Sequence, residues 1–127
     1  IEELTKKELV ENIDKEGVEI KWEDLKKIKT KLKSKELDYF FTAILNIKDI
    51  EECYRFFEDV STISELKALC QRFQVAKMLR EKKTYIEIGE VTGASTATIS
   101  RVNRCLNYGS NGYNTILDRL EVEEKEQ

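Results

Sequence analysis

The sequence predicts an all-α fold, and three observations carry that prediction. The 127 residues contain no proline and only 5 glycines, so little interrupts a regular backbone. Charged residues make up 37% of the chain and apolar residues 40%, the balance of amphipathic helices around a modest core. A hydroxyl residue or aspartate followed three positions later by glutamate recurs at Thr5/Glu8, Asp49/Glu52, Thr62/Glu65 and Thr84/Glu87, the pattern that opens a helix. The length suits one domain, or a small domain with an appendage, and leaves no room for a second catalytic domain.

Residues 1–35 read as an N-terminal helical extension. Leu4, Leu9, Val10 and Ile13 form a narrow apolar stripe that Gly17 brings to a stop. Val18 to Trp22 alternates apolar and charged residues, as a brief extended stretch does, and from Glu23 a helical pattern resumes with Leu25, Ile28 and Leu32 on one side. Lys21, Lys26, Lys27, Lys29, Lys31, Lys33 and Lys35 outweigh Glu23 and Asp24 here. A solvated face or a soluble linker explains that run better than a second nucleic-acid surface does.

Glu36 to Ile47 brings Leu37, Phe40, Phe41, Ile44, Leu45 and Ile47, an apolar face too broad for a helix lying alone in water. The next helix, capped by Asp49, carries Ile50, Cys53, Tyr54, Phe57 and Val60. Together the two have more apolar surface than a thin subunit can cover, which argues for association with a second copy. Thr62 then opens a long helix running to about Lys82, a central strut with Leu66, Leu69, Cys70, Phe73, Ala76 and Leu79 inward.

The stretch from Thr84 to Leu106 has the spacing of two short helices meeting at a sharp corner. The first begins after Thr84 and ends at Gly93; the second starts at Ser95 or Thr96. Ile88, Ala94, Ile99 and Val102 point inward, and Gly89 is read as a side-chain-free spot where the second helix crosses the first. Thr96, Ala97 and Ser100 are short, and Arg101 and Arg104 follow on the next turn. Short hydroxyl and methyl groups permit close approach to base edges, and arginine pairs with phosphate or guanine. The candidate DNA-contacting set is Lys83, Thr84, Ser95, Thr96, Ala97, Thr98, Ser100, Arg101 and Arg104. A helical hairpin that serves packing alone has no need for such a face. Beyond Leu106, NYGSNGYN reads as a loop and Asn114 to Leu120 as a final short helix with Ile116, Leu117 and Leu120 apolar; residues 121–127 read as a frayed acidic tail.

The net charge of -3 opposes nucleic acid at first sight, but its distribution does not. Between Ser64 and Tyr108 eight Lys or Arg stand against four Glu, a basic head on an acidic scaffold that predicts marked salt sensitivity. Three separated cysteines, Cys53, Cys70 and Cys105, and the absence of histidine exclude a zinc finger or ribbon, and an odd number with no secretory signal excludes a disulfide framework. They read as core thiols in a reduced cytoplasm. No apolar run reaches the length of a membrane span, and no metal site, phosphate-cradling glycine loop or nucleophile–base set is present, so the expected protein is not an enzyme.

GASTATISRVNRCLNYG, with LCQRFQVAKMLREKKTY before it and DIEECYRFFEDVSTISEL earlier, resembles the Trp repressor superfamily, and within it the YerC/YecD branch, over about residues 36 to 120. The resemblance implies a helix-turn-helix, an intertwined homodimer, and a DNA-binding transcriptional regulator, a repressor, with two recognition helices about one turn of double-stranded DNA apart. The superfamily's tryptophan pocket depends on two arginines and a small residue. Arg101 matches one arginine by position, Gln71 stands where the other should be, and Val102 falls where a glycine leaves room for the indole ring. Those departures imply a vestigial pocket, no tryptophan binding and no cofactor. The rival expectation is a protein-interaction module that keeps the dimer fold without binding DNA.

Overall fold

A computed structural model of the protein describes residues 30–126, which form six α-helices; no strand occurs among the described residues. They are α1 (Lys35–Leu45), α2 (Ile50–Val60), α3 (Ile63–Arg80), α4 (Tyr85–Thr92), α5 (Thr96–Tyr108) and α6 (Gly112–Glu126). The expected helix over 1–16, the extended stretch over 18–22 and the expected lysine-rich helical pattern as far as residue 29 lie outside the described residues. Where that pattern was expected to continue through Leu32, Thr30 to Ser34 are turn and irregular backbone instead, with Leu32 exposed and Ser34 extended as the cap of α1. The chain divides into two compact units, one through Phe56 and one from Phe57 onward.

In the first unit, Ser34 caps α1: its hydroxyl accepts from the Leu37 amide at 3.1 Å. Asp38 is buried and forms an ion pair with Lys33, so its charge is compensated where water is scarce. The Thr42 hydroxyl, also buried, donates to the Asp38 carbonyl at 2.7 Å, and the Asn46 side-chain amide donates to the Thr42 carbonyl at 2.9 Å as the helix ends. Phe40 sits against Phe41 and Phe56 with ring centroids 6.1 and 6.0 Å away. At the start of α2 the Asp49 carboxylate accepts from the Glu52 amide at 2.8 Å, as its position predicts. Phe41, Leu45, Ile50 and Tyr54 remain at least half exposed, which is the apolar excess expected of these two helices.

The second unit holds the core: Val75, Ala76, Ile88, Ala94, Ile99, Val102 and Leu117 are buried together, with Phe73, Leu79, Leu106 and Leu120 against them. α3 opens on a full capping box, in which the Thr62 hydroxyl accepts from the Glu65 amide at 3.1 Å and the Glu65 carboxylate accepts from the Thr62 amide at 2.9 Å. Its buried stripe differs from the expected one. Val75 and Ala76 are fully covered, whereas Leu69 and Cys70 are exposed, because the first half of α3 contributes nothing to the cluster. α3 stops at Arg80, and Lys82 takes a left-handed backbone (φ 64°) that a continuing helix could not accommodate.

Two further expectations are corrected. The thiols are not core residues: Cys70 and Cys105 are exposed and Cys53 is half-buried on the single chain. The segment NYGSNGYN is mostly helical, since Asn107 and Tyr108 end α5 and Gly112 begins α6. α6 then continues through Glu126, past the expected end at Leu120. Its polar anchors explain the extra length. Arg80 donates to the Asn114 carbonyl at 3.1 Å, to Asp118 at 2.5 Å and to Glu121 at 3.2 Å, while the Asn114 side chain donates to the Leu106 carbonyl at 3.0 Å. The last of these carboxylates lies beyond Leu120, so the helix is pinned where composition alone suggests fraying.

Candidate nucleic-acid interface

α4 begins with its own capping box. The Thr84 hydroxyl accepts from the Glu87 amide at 3.2 Å and the Glu87 carboxylate accepts from the Thr84 amide at 2.8 Å. That backbone hydrogen bond, with help from the Thr84 hydroxyl and the Lys83 charge, holds the Glu87 carboxyl below the usual glutamate range. Two turns later the helix ends at Gly93, whose φ of 75° lies in the left-handed region that glycine adopts without penalty, and whose amide donates to the Gly89 carbonyl at 2.9 Å.

Thr92 organises the corner. Its hydroxyl donates to the Ile88 carbonyl at 2.7 Å and accepts from the Ala94 amide at 3.1 Å, and its carbonyl accepts from the Gln71 side-chain amide at 3.0 Å. Ser95 then caps α5, its hydroxyl accepting from the Thr98 amide at 3.1 Å. Three residues, Gly93 to Ser95, thus join the helices. Gly89 does not act as expected: a Cβ there would lie 3.6 Å from the Ala94 carbonyl oxygen, ordinary contact, so the crossing does not demand a missing side chain.

The helical period sorts the residues of α5 cleanly. Ile99 and Val102 are buried, as are Ile88 and Ala94 before them, all four as the spacing predicts. Ser95, Thr96, Ala97, Ser100, Arg101 and Arg104 are exposed, and Thr98 is partly covered. From Thr96 onward the exposed residues recur at intervals of one, three and four, a single stripe of short side chains that ends in two guanidinium groups. Neither Arg101 nor Arg104 is bonded to any described residue. The first turn of α5 carries no acidic residue, so the partial positive charge of its N-terminus is not offset within the helix. Lys83 and Thr84 are exposed immediately before α4.

The three residues of the expected vestigial pocket have unlike surroundings. Val102 is 1% exposed within the core, Arg101 is in solvent, and the Gln71 amide is engaged by Thr92. An open apolar groove of about 500 Å³ in this unit is lined by Phe73, Cys105, Tyr113 and Ile116, among others, none of them in that trio. Sequence reasoning missed Thr92. The local signal was a hydroxyl residue just before the stopping glycine, within reach of the carbonyl four residues back.

A family model for the Trp repressor protein matches residues 35–121. The chain belongs to the Trp repressor protein family. The family match takes in every residue of the α4–α5 corner and leaves residues 1–34 outside it. YerC of Bacillus subtilis (strain 168) is 59% identical over 96 residues, which cover 76% of this chain and 92% of YerC. Among solved structures, a TrpR-like protein from Eubacterium eligens ATCC 27750 aligns at 60% identity with a TM-score of 0.70, covering 72% of this chain and 94% of that one. A candidate Trp repressor from Staphylococcus aureus aligns at 50% identity with a TM-score of 0.69, covering 72% and 91%. Among the described residues of this Trp repressor family member, no helix is long and apolar enough to cross a membrane and no cluster of Cys, Asp or Glu could hold a metal ion.

Proposed function

We propose that the chain is a sequence-specific transcriptional regulator of double-stranded DNA, a cytoplasmic homodimeric repressor that reads a roughly two-fold operator through α5 and does so without tryptophan. The observation that carries this reading is the exposed stripe of Thr96, Ala97, Ser100, Arg101 and Arg104 on a helix whose opposite side is locked into the core by Ile99 and Val102. A helix so anchored can present its N-terminal end to the major groove as the second limb of a helix-turn-helix. The short side chains let the backbone come near the bases, and the two arginines, with Lys83 and Thr84, supply partners for phosphate or guanine.

One short helix makes too few contacts for a specific site, so the reading requires two subunits with their α5 helices about one DNA turn apart. The exposed Phe41, Leu45, Ile50 and Tyr54, together with Ile63 and Leu69, support association with a second copy. Independence from tryptophan is supported by the buried Val102 and by the engagement of Gln71 with Thr92, which leaves no arginine at that position for a ligand carboxylate.

Selection of bound sequences from a random DNA pool, in ligand-free buffer at two salt concentrations, tests the proposal. A two-fold consensus whose affinity falls steeply with salt is expected. Arg104→Ala should then weaken the selected site by about 10- to 100-fold with the oligomeric state unchanged. A pool that yields no consensus would leave the protein-interaction module as the better account. Isothermal titration should find no micromolar uptake of L-tryptophan.

A further inference from the structure

Two kinds of interaction join the α4–α5 corner to α3. Apolar packing in the core holds the helices together and restricts their crossing to a range of angles, whereas a hydrogen bond fixes distance and direction at one point within that range. Among the described residues, Gln71 makes the one side-chain hydrogen bond from α3 to the corner, its Nε2 donating to the Thr92 carbonyl at 3.0 Å. That carbonyl belongs to the last residue of α4, where a helix leaves its acceptors without internal partners. Through its hydroxyl, Thr92 also ties the Ile88 carbonyl to the Ala94 amide, so a restraint on Thr92 reaches the residue just before the α5 cap. Gly93 lies beside this bond, a Cβ there falling 3.9 Å from Gln71 Nε2, an ordinary contact; its own constraint is the left-handed φ of 75°.

We infer that Gln71 is a positioning residue that holds the α4–α5 corner at one angle to α3 with no small molecule bound, and so sets the half-site separation the protein accepts. The inference about separation rests on the DNA-reading function proposed above. The donor is a neutral amide, so the restraint needs no counter-ion and does not titrate. It is present in every folded subunit. The corner is therefore held ready for DNA constitutively, and no effector has to dock first.

Two variants of the full chain test this. Gln71→Glu keeps the size of the side chain but sets an acceptor against an acceptor; Gln71→Lys restores a donor, on a flexible stem one bond longer that can fold back to the same carbonyl. Without DNA, amide hydrogen exchange at Gly93 and Ala94 should quicken about five- to tenfold in Gln71→Glu and stay near wild type in Gln71→Lys, with Val75 and Ala76 unchanged. With DNA, duplexes carrying the selected half-site at varied separations should show the wild type preferring one separation. Gln71→Glu should lose about five- to tenfold of that preference while reading the same half-site sequence, and Gln71→Lys should retain it.

A side chain that merely supported the fold would weaken binding equally at every separation. Either that uniform loss, or unchanged exchange and an unchanged separation profile in Gln71→Glu, overturns the inference. If the wild type selects no DNA, the proposed function fails by itself, and exchange at Gly93 and Ala94 decides the restraint: quickening upholds it and constancy overturns it.

Discussion

A methyl group placed on Gly109 would sit 2.5 Å from the carbonyl oxygen of Cys105, a backbone atom that cannot step aside without disturbing the end of α5. At Gly89 the same methyl group meets only an ordinary contact, and there it would remove the backbone entropy that glycine loses in a helix. The two substitutions should have opposite signs. Gly109→Ala is expected to cost about 1 to 3 kcal/mol and Gly89→Ala to gain about 0.5 to 1 kcal/mol, read from urea unfolding midpoints at constant slope. Sequence alone assigns the special role to the wrong glycine, because crowding by a carbonyl is a property of three-dimensional approach. The inward set of Ile88, Ala94, Ile99 and Val102 was legible, since the helical period states it locally. The bond from Gln71 to Thr92 was not, because a partner 21 residues away leaves no trace in the spacing of either residue.

Helix starts are written in short-range chemistry, and that makes them both readable and sensitive to acid. In the boxes of α3 and α4, hydrogen bonds from the Thr62 and Thr84 backbone amides hold Glu65 and Glu87 below the usual glutamate range. A carboxyl lowered in this way stabilises the fold above its unfolded pKa, and the contribution disappears as pH falls through the ordinary range to the lowered value. Glu65→Gln and Glu87→Gln should therefore unfold at lower urea than wild type at neutral pH. The gap should narrow as the pH is lowered below the ordinary glutamate range. Helix ends were harder to read. The Asn/Gly-rich segment after Leu106 reads as a loop, yet the Asn107 side chain donates back to the Asn103 carbonyl at 3.0 Å within α5, and the Asn111 carbonyl accepts from the Thr115 amide at 3.1 Å to start α6. The same residue types that make turns also close helices, and spacing does not separate the two uses.

At the scale of the whole molecule, the all-helical architecture of the described residues and the order of their elements followed from composition and period. The partition of apolar residues between core and surface did not. Leu69 shares a stripe with Phe73 and Ala76 yet is 50% exposed, because a heptad-like pattern cannot say whether its cover comes from the same chain or another. Ile63 is 76% exposed and Leu45 54%. If a second subunit covers them, Ile63→Glu and Leu45→Glu should weaken self-association at least about tenfold in sedimentation equilibrium, by stranding a charge in an apolar contact. Helical circular dichroism should survive in both. Unchanged association in both variants would place the interface elsewhere.

The buried cluster lies wholly between Val75 and Leu117, drawn from helices that follow one another directly along the chain. Contacts between such near neighbours form early when a polypeptide collapses, because little loop entropy opposes them. On rapid dilution from urea this region should recover its ellipticity within milliseconds, at a rate blind to dilution factor, whereas any encounter between subunits should arrive later and accelerate as more polypeptide is added.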